Sequence, residues 1–468
     1  MARSLQIFGF LFLLQLVVSC QTAEFKLLSA DSFKNAPKFE SLGSVVEMPS
    51  FSALTGESIE FSSLKDLVNH EKLAVDVDAG FRTALKHATE NDPEIIGLKE
   101  TLKALDAQII SEEGRKDFQV SGTLYSGIED ISDQKSGVAA VIDARRVIFD
   151  GGEVDAAIEM RKQQRESKKY FLRSRIDNRL YELASIWIEL AQYEALNRNI
   201  EDRLLVLDPL ITQLEEIAEA GIADVSRVAA AQRTVSTIRI TQADVSERLA
   251  LARLNFSNAF GSLPKKVSYD HAFVSNLVPS RVTVEMSRKV PLILSQYADY
   301  KAAKATLAGI KAKDSFNLGF ESRLTRPFGD SGYDSDETIG VVLRKTLFND
   351  KIMVADVAAA EAELKSSIEK IRSTLIDGER IVDTAQQTIT SMERAIEVAK
   401  KTAKATSDEI IYLRRQLIIG GSTLDSVLSA EARLYDAESS EIKFTAEKRK
   451  AELSIVSALG LLSSSVGL

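Results

Sequence analysis

The feature that most constrains the fold is a proline-free stretch, 351–419, whose apolar and small residues recur with heptad spacing. From Leu364 to Leu417 they follow one another in alternating steps of four and three residues. This pattern is typical of helices that pack lengthwise against partners. At about 1.5 Å per residue the helix is roughly 100 Å long. The stretch therefore predicts a helical tube or rod rather than a compact globular domain.

The second constraint is an internal repeat, because the two halves of the chain align at a constant offset of 199 residues. Arg145 aligns with Arg344 and Gly261 with Gly460, each pair differing by 199, and no gap is needed from 145 to 261. Such a match indicates a duplication. Each half contains a helix, an alternating hairpin, a long helix and a return helix.

The repeat divides the chain into six segments. We predict a signal peptide (1–19), an N-terminal extension (20–75), a first repeat (76–264, with hairpin 117–149, long helix 151–220 and return helix 224–260), a linker or equatorial segment (265–290), a second repeat (291–462, with hairpin 315–348, long helix 351–419 and return helix 422–459) and a tail (463–468).

The two hairpins are amphipathic, with apolar residues such as Val120 and Leu124 alternating with polar ones. Each arm has roughly the 9–11 residues that a tilted strand needs to cross a bilayer. Beyond the leader no stretch approaches 18 consecutive apolar residues, so a membrane crossing would use strands. Four strands cannot close a barrel, and open edges are not tolerated in lipid. The fold class we predict is mainly α with a small β part: a long α-helical barrel plus a transmembrane β-barrel shared between chains, four strands from each.

Charged residues in the hairpins alternate with the apolar positions and are predicted to face the lumen of that barrel. The alternative is surface exposure in a hairpin outside any membrane. The lumen candidates are Asp143, Arg145, Glu321 and Arg323.

The N-terminus carries export information. Arg3 precedes an apolar core, 7–18, that is too short to be a permanent span. The run 17–20, Val-Val-Ser-Cys, resembles the lipobox of bacterial lipoproteins, in which Cys20 would become the lipidated first residue. Gln21 follows it, and in that family this implies the outer membrane. The alternative is an ordinary signal peptide cut near Ala23. Cys20 is the sole cysteine, which suits an oxidising compartment.

Over about 75–462 the chain resembles the TolC family of outer-membrane efflux proteins. The matching segments are Arg-Val-Ile-Phe-Asp-Gly-Gly at 146–152, its echo at 345–350, and the turn motifs at 221–225 and 421–428. The resemblance implies a homotrimer with twelve strands in the membrane. It also implies docking onto a periplasmic adaptor and an inner-membrane transporter of the RND or ABC type. The expected function is the passive exit duct of an efflux or type I secretion system.

The resemblance also assigns candidate sites, each with a plainer alternative. The docking turns comprise Gly221, Asp224, Gly420, Gly421, Ser422 and Asp425, which would in any case stop one helix and cap the next. The candidates for a gate at the periplasmic tip are Glu215, Glu216, Glu219, Asp408, Glu409, Arg414 and Arg415. Acids pointing inward would repel anions and bridge to the arginines, whereas the alternative is solvated charges on outer helix faces.

Other classes of function find little support. The net charge is -9 and no basic cluster is present, so nucleic acid is not an expected partner. The three histidines are dispersed and no phosphate-binding loop motif occurs, so we expect no enzyme activity, metal or cofactor. The competing hypothesis is a periplasmic coiled-coil adaptor or scaffold without a pore.

Overall fold

The computed structural model describes residues 75–130, 135–221, 225–267, 269–329, 331–346, 350–419 and 421–468. Within them the protein is mainly helical, with four strands in one sheet, so the prediction of a mainly α fold with a small β part is confirmed. The predicted signal peptide, lipidation residue Cys20 and nearly all of the extension lie outside the described residues, as do Asp224 and Gly420.

The elements follow the order that the repeat predicts. They are α1 (Phe81–Glu90), α2 (Pro93–Glu113), β1 (Gln119–Asp130), β2 (Lys135–Phe149), α3 (Glu153–Glu219), α4 (Val225–Phe260), α5 (His271–Ser275), α6 (Val284–Arg288), α7 (Pro291–Ala312), β3 (Asn317–Phe328), β4 (Asp336–Arg344), α8 (Asp350–Ile418), α9 (Leu424–Ala458) and α10 (Leu462–Val466). Short 3₁₀ turns lie at Val77–Ala79 and Gly114–Lys116.

The duplicated elements recur at nearly the same offset in the structure. Adding 199 to the bounds of α4 gives 424–459, and α9 spans Leu424–Ala458. The same addition to α3 gives 352–418, and α8 spans Asp350–Ile418. Helices of 67 and 69 residues therefore occupy equivalent places in the two halves, each about 100 Å long.

The long helix α3 holds the chain together. Helices α2 and α7 pack on the part of α3 nearest the sheet, and α4 and α9 pack on its distal part, while α8 packs on α7 and α9. The largest buried cluster surrounds Trp187, whose ring centre lies 5.4 Å from that of Phe81 and 5.0 Å from that of Phe256. Aromatic edge contacts of this kind add to the burial of large apolar surfaces.

The predicted heptad seam of α8 is buried along most of its length. Val382, Ala385, Ile389 and Ile410 are all less than 10% exposed, and they face α9 or α7. Nearer the sheet Ile368 is 41% exposed. Among the described helices α7 is the one that packs on this part of α8, so one chain alone leaves the seam partly uncovered.

The two hairpins join in one antiparallel sheet with the order β1-β2-β3-β4. Strand β2 pairs with β3 from Val138↔Phe328 to Phe149↔Leu318, with one irregularity near its end. The sequence predicted the two hairpins but not this pairing between them. The outer strands, β1 and β4, each have one edge that no described strand covers.

No described helix combines the length and the apolar character that a bilayer-crossing helix needs.

Candidate functional site

The passage from sheet to helix is built by Asp150, Gly151 and Gly152. The Asp150 carboxylate accepts hydrogen bonds from the backbone N–H of Gly152 (2.9 Å) and of Val154 (2.8 Å), and so caps α3. Both glycines have positive φ, 69° and 92°, which is unfavourable for residues with a Cβ. A Cβ on Gly151 would lie 2.3 Å from that of Ser315. The glycines therefore allow the strand to turn into the helix beside α7.

One face of the sheet is polar and carries all four predicted lumen residues. Asp143 lies opposite Arg323 in the strand register, and Arg145 lies opposite Glu321. The Arg323 Nε to Asp143 Oδ1 distance is 2.8 Å. The structure thus brings these residues together on one surface, with charges that alternate across β2 and β3.

Two further residues extend this polar face and were not predicted. The Arg145 Nε donates to Gln119 Oε1 at 2.9 Å, and Arg344 Nη2 donates to Glu321 Oε2 at 2.9 Å. Arg344 is the repeat equivalent of Arg145. This equivalence was present in the sequence and could have identified Arg344. All four strands therefore contribute polar groups to the same face.

The opposite face of the sheet is mainly apolar and exposed, with an Arg326–Glu337 ion pair at its far end. Its exposed members comprise Val120, Leu124, Ile142, Phe328, Ile339, Val341 and Leu343. At the end nearest the helices two aromatic pairs follow, Phe118 with Phe320 (ring centres 5.9 Å apart) and Phe149 with Phe316 (4.8 Å). An exposed apolar surface of this extent marks contact with a partner or a membrane.

The turns at the far end of the long helices stop them with glycine. Gly221 follows α3 with a φ of 73°, and its N–H donates to the Ala218 carbonyl at 2.9 Å. Gly421 donates to the Gln416 carbonyl at 2.9 Å. The prediction that Ser422 or Asp425 caps α9 is wrong, because Thr423 occupies the cap and its Oγ1 accepts from the Ser426 N–H. Asp425 lies in the first helical turn instead.

Beside the second turn lies an apolar tip that the predicted sites did not include. Ile418 and Ile419 are 85% and 81% exposed. Their repeat equivalents in the first half are Glu219 and Ala220. In the sequence they are an apolar pair directly before Gly420. They were not singled out because the heptad pattern assigned them to the long helix.

The predicted tip residues form separate contacts within the chain. Glu215 accepts a hydrogen bond from Gln232 (2.7 Å), and Glu409 pairs with Arg433 (2.7 Å). Arg414 pairs with Glu431 on α9 (2.8 Å) rather than with a predicted acid. Glu216, Glu219, Asp408 and Arg415 are exposed, and none has an ion pair among the described residues.

These contacts have a repeat relation. Adding 199 to 215 and 232 gives 414 and 431, so the Glu215–Gln232 and Arg414–Glu431 contacts join the long and return helices at equivalent positions. The two halves therefore have a contact between the long and return helices at the same place, made by side chains of different charge.

A partly buried ionic cluster links three helices and was missed from the sequence. Arg203 of α3 pairs with Glu431 and with Glu438 (2.9 Å), both on α9, and Arg414 of α8 completes it. Glu431 is only 2% exposed. The available signal was a glutamate within the apolar run of α9, flanked by Val427, Leu428 and Ala430.

A second buried carboxylate lies where the C-terminal segment meets α3. Asp177 accepts from the Ser463 backbone N–H at 2.7 Å and from its hydroxyl at 3.2 Å. Burial raises the pKa of Asp177 from its ordinary value to about 6, and these hydrogen bonds only partly oppose the rise. The predicted tail 463–468 is therefore packed, since Ser463 and Leu462 of α10 are buried.

Among the residues that the structure describes, no group of three or more His, Cys, Asp or Glu side chains is arranged to hold a metal ion.

This arrangement, a four-stranded sheet joined to helices about 100 Å long, is the fold of outer-membrane channels. The chain is similar to CusC, whose structures describe transmembrane channel formation, with a TM-score of 0.71, 16% identity, and 82% of this chain and 92% of that chain covered. It is also similar to the outer membrane protein VceC of Vibrio cholerae, with a TM-score of 0.66 and 13% identity; the match covers 81% of this chain and 95% of that chain. A third similar structure is the CmeC outer membrane channel of Campylobacter jejuni, with a TM-score of 0.67 and 11% identity; the match covers 81% of this chain and 84% of that chain.

No protein-family model matches the sequence, and no curated protein matches it. The resemblance to the TolC family is therefore confirmed by the fold. Comparison of sequences alone does not detect it.

Proposed function

We propose that the protein is the outer-membrane exit duct of a tripartite efflux or type I secretion system. The observation that carries the proposal is the sheet, which is apolar and exposed on one face and lined with paired charges on the other. Transmembrane barrels have this alternation, with apolar residues toward lipid and polar ones toward the lumen. On this proposal Asp143, Arg145, Glu321 and Arg323 line the lumen.

The open edges of the chain support a ring of copies. Strands β1 and β4 have uncovered edges, and unpaired backbone groups are strongly unfavourable in lipid. The helices are also asymmetric, because α2 and α4 contact α3, whereas α8 contacts α7 and α9. A head-to-tail contact between such unlike flanks forms a ring when the rotation between copies closes. We propose the homotrimer that the family resemblance implies.

Partners would dock at the helical tips, and an inner-membrane transporter of the RND or ABC type would supply the energy. The exposed pair Ile418 and Ile419 supports this part of the proposal, because apolar side chains at a tip suit a protein contact. The docking turns are those around Gly221 and Gly421. The partner would be a periplasmic adaptor with its own helical tip.

The proposed location is the outer membrane, with the long helices in the periplasm and Cys20 as a lipid anchor. The sequence 17–20 supports the anchor. Mass spectrometry of the intact protein would show two or three acyl chains on Cys20. A mature N-terminus near residue 23 or 24 would contradict the anchor while leaving the duct unaffected.

The alternative, a periplasmic adaptor without a pore, has less support. An adaptor would surround its helices with small barrel domains of many short strands. In the part of the chain described here, strands occur only in the single four-stranded sheet.

The decisive experiment is to purify the full chain from outer membranes in detergent and to measure its conductance in a planar bilayer. We expect detergent-dependent extraction, a trimer by native mass spectrometry and stable single channels. A water-soluble monomer without conductance would contradict the proposal.

A further inference from the structure

We propose that Arg146 and Lys345 bind the phosphate groups of phospholipids at the membrane boundary nearest the helices. This inference rests on the proposed function, because it requires the sheet to lie in a bilayer. We call these two residues the cationic collar. In a trimer the collar would contribute six positive charges around the barrel.

The two copies of the repeat preserve both the position and the contact of these cations. Positions 146 and 345 differ by the repeat offset of 199. Arg146 Nε donates to the carbonyl of Lys116 at 3.2 Å, and Lys345 Nζ donates to the carbonyl of Asp314 at 2.9 Å. Each acceptor lies between the end of a helix, α2 or α7, and the strand that follows it.

The collar lies on the apolar face of the sheet. Arg146 is opposite Phe320 in the register, and its guanidinium carbon is 5.1 Å from the centre of the Phe118 ring. Arg344 points to the polar face, where it pairs with Glu321. Because side chains alternate along extended backbone, Lys345 follows on the apolar face.

Two arginines of the polar face have close carboxylate partners, whereas in the collar Arg146 has none among the described residues and Lys345 has only a long ion pair. Arg323 and Arg344 each have an ion pair with an acid across the strands. Arg146, although exposed, has no ion pair among the described residues. For Lys345 the nearest carboxylate is that of the exposed Asp314, at 4.0 Å. The collar charges are therefore available to an anion outside the protein.

The surroundings indicate which anion this is. The aromatic pairs Phe118–Phe320 and Phe149–Phe316 lie at the same level, and aromatic side chains concentrate at membrane interfaces. Between them and the Arg326–Glu337 ion pair at the far end of β3 and β4, the exposed side chains of this face are mainly apolar. A cation at the rim of an apolar band meets the head-group layer, where phosphates accept hydrogen bonds from arginine and lysine.

The test is native mass spectrometry of the full chain in detergent, with phosphatidylglycerol or a phosphate-free galactosyl diacylglycerol added. We expect the wild type to retain phosphatidylglycerol preferentially. In the variant R146Q/K345Q the binding constant for phosphatidylglycerol should fall about fivefold for each cation removed. The matched control K370Q/R380Q removes two exposed charges from α8 and should retain as much as the wild type. R146K should preserve retention, since it keeps the charge.

Equal retention by the wild type and R146Q/K345Q, or no preference for the phosphate-bearing lipid, would overturn the collar. Planar-bilayer conductance separates this failure from that of the duct. If R146Q/K345Q conducts and still retains lipid like the wild type, only the collar is rejected. If the wild type neither trimerises nor conducts, the duct is rejected, and the collar with it.

Discussion

At the scale of single residues, Gly151 has one of the most demanding positions among the described residues. Its φ is positive and a Cβ would overlap Ser315. We expect G151A to lower the stability by at least about 2 kcal/mol, since backbone strain and a steric clash add. G152A is the matched control, because Gly152 also has positive φ but nothing lies within 4 Å of its Cβ position.

Thermal unfolding of the two glycine variants measures the difference. G151A should unfold at a clearly lower temperature than G152A. Equal melting temperatures would mean that the close approach of α7 to this turn is unimportant for stability.

Asp177 predicts a pH dependence of stability. Its pKa is raised to about 6 in the folded protein, against about 3.9 in an unfolded chain. The folded state therefore keeps a proton that the unfolded state releases. The contribution of Asp177 is fully present below pH 4 and is lost as the pH rises through 6.

The variant D177N stays neutral and retains an acceptor for the Ser463 N–H. Relative to D177N, the wild type should lose on the order of 3 kcal/mol of stability between pH 4 and pH 7. Melting temperatures of both proteins across this range measure the effect. Parallel profiles would contradict the assigned protonation.

Residue-scale prediction succeeded where the local pattern was sufficient. The alternation of the hairpins placed Asp143 and Arg323 on one face, and the register brings them to 2.8 Å. Asp177 and Ser463 meet across 286 residues of chain. No local pattern relates such distant residues, so this contact required the structure.

At the scale of elements, the ionic cluster around Glu431 joins α3, α8 and α9. Removing one partner of a buried ion pair costs about 3–5 kcal/mol, because the other charge stays buried and unpaired. We expect E431Q to lower the unfolding free energy by less than this, by about 2 kcal/mol, because Arg203 keeps Glu438 and Arg414 is half exposed. E438Q should cost less than about 1 kcal/mol, since Glu438 is partly exposed and only one contact is lost.

Chemical denaturation of E431Q and E438Q measures both effects. If E431Q is as stable as E438Q, the Arg203 contacts do not hold the three helices together.

The elements themselves were largely predictable, for a physical reason. A heptad seam that runs from Leu364 to Leu417 admits only a long helix, and α8 has 69 residues. The repeat supplies each assignment twice. The pairing of β2 with β3 was not predictable from spacing, because two hairpins separated by more than 160 residues can also belong to different sheets. Helix ends moved by one or two residues where caps such as Thr423 decided them.

At the scale of the whole molecule, the outer face of α8 is the clearest sign of assembly. Ile376 and Val398 are 58% and 63% exposed and lie about 40° apart around the helix. We expect I376K/V398K to leave the helix content of a single chain unchanged and to prevent the ring from closing. The reason is that lysines would have to be buried against the next chain.

Circular dichroism and native mass spectrometry of I376K/V398K separate folding from assembly. K370Q on the same helix, about 120° from Ile376 and about 80° from Val398 around the axis, should assemble normally. A trimeric I376K/V398K protein would show that this face lies outside the contact between chains.

The equivalent contacts Glu215–Gln232 and Arg414–Glu431 have a consequence for recognition at the tips. Six hairpins in a trimer would share one shape but have two electrostatic characters, arranged alternately around the circle. At the end of the ring the backbone would be nearly sixfold symmetric, whereas the charges would be only threefold symmetric. A protein that binds there would meet both symmetries. Substitutions could therefore redirect one class of binding groove while the other keeps its original preference.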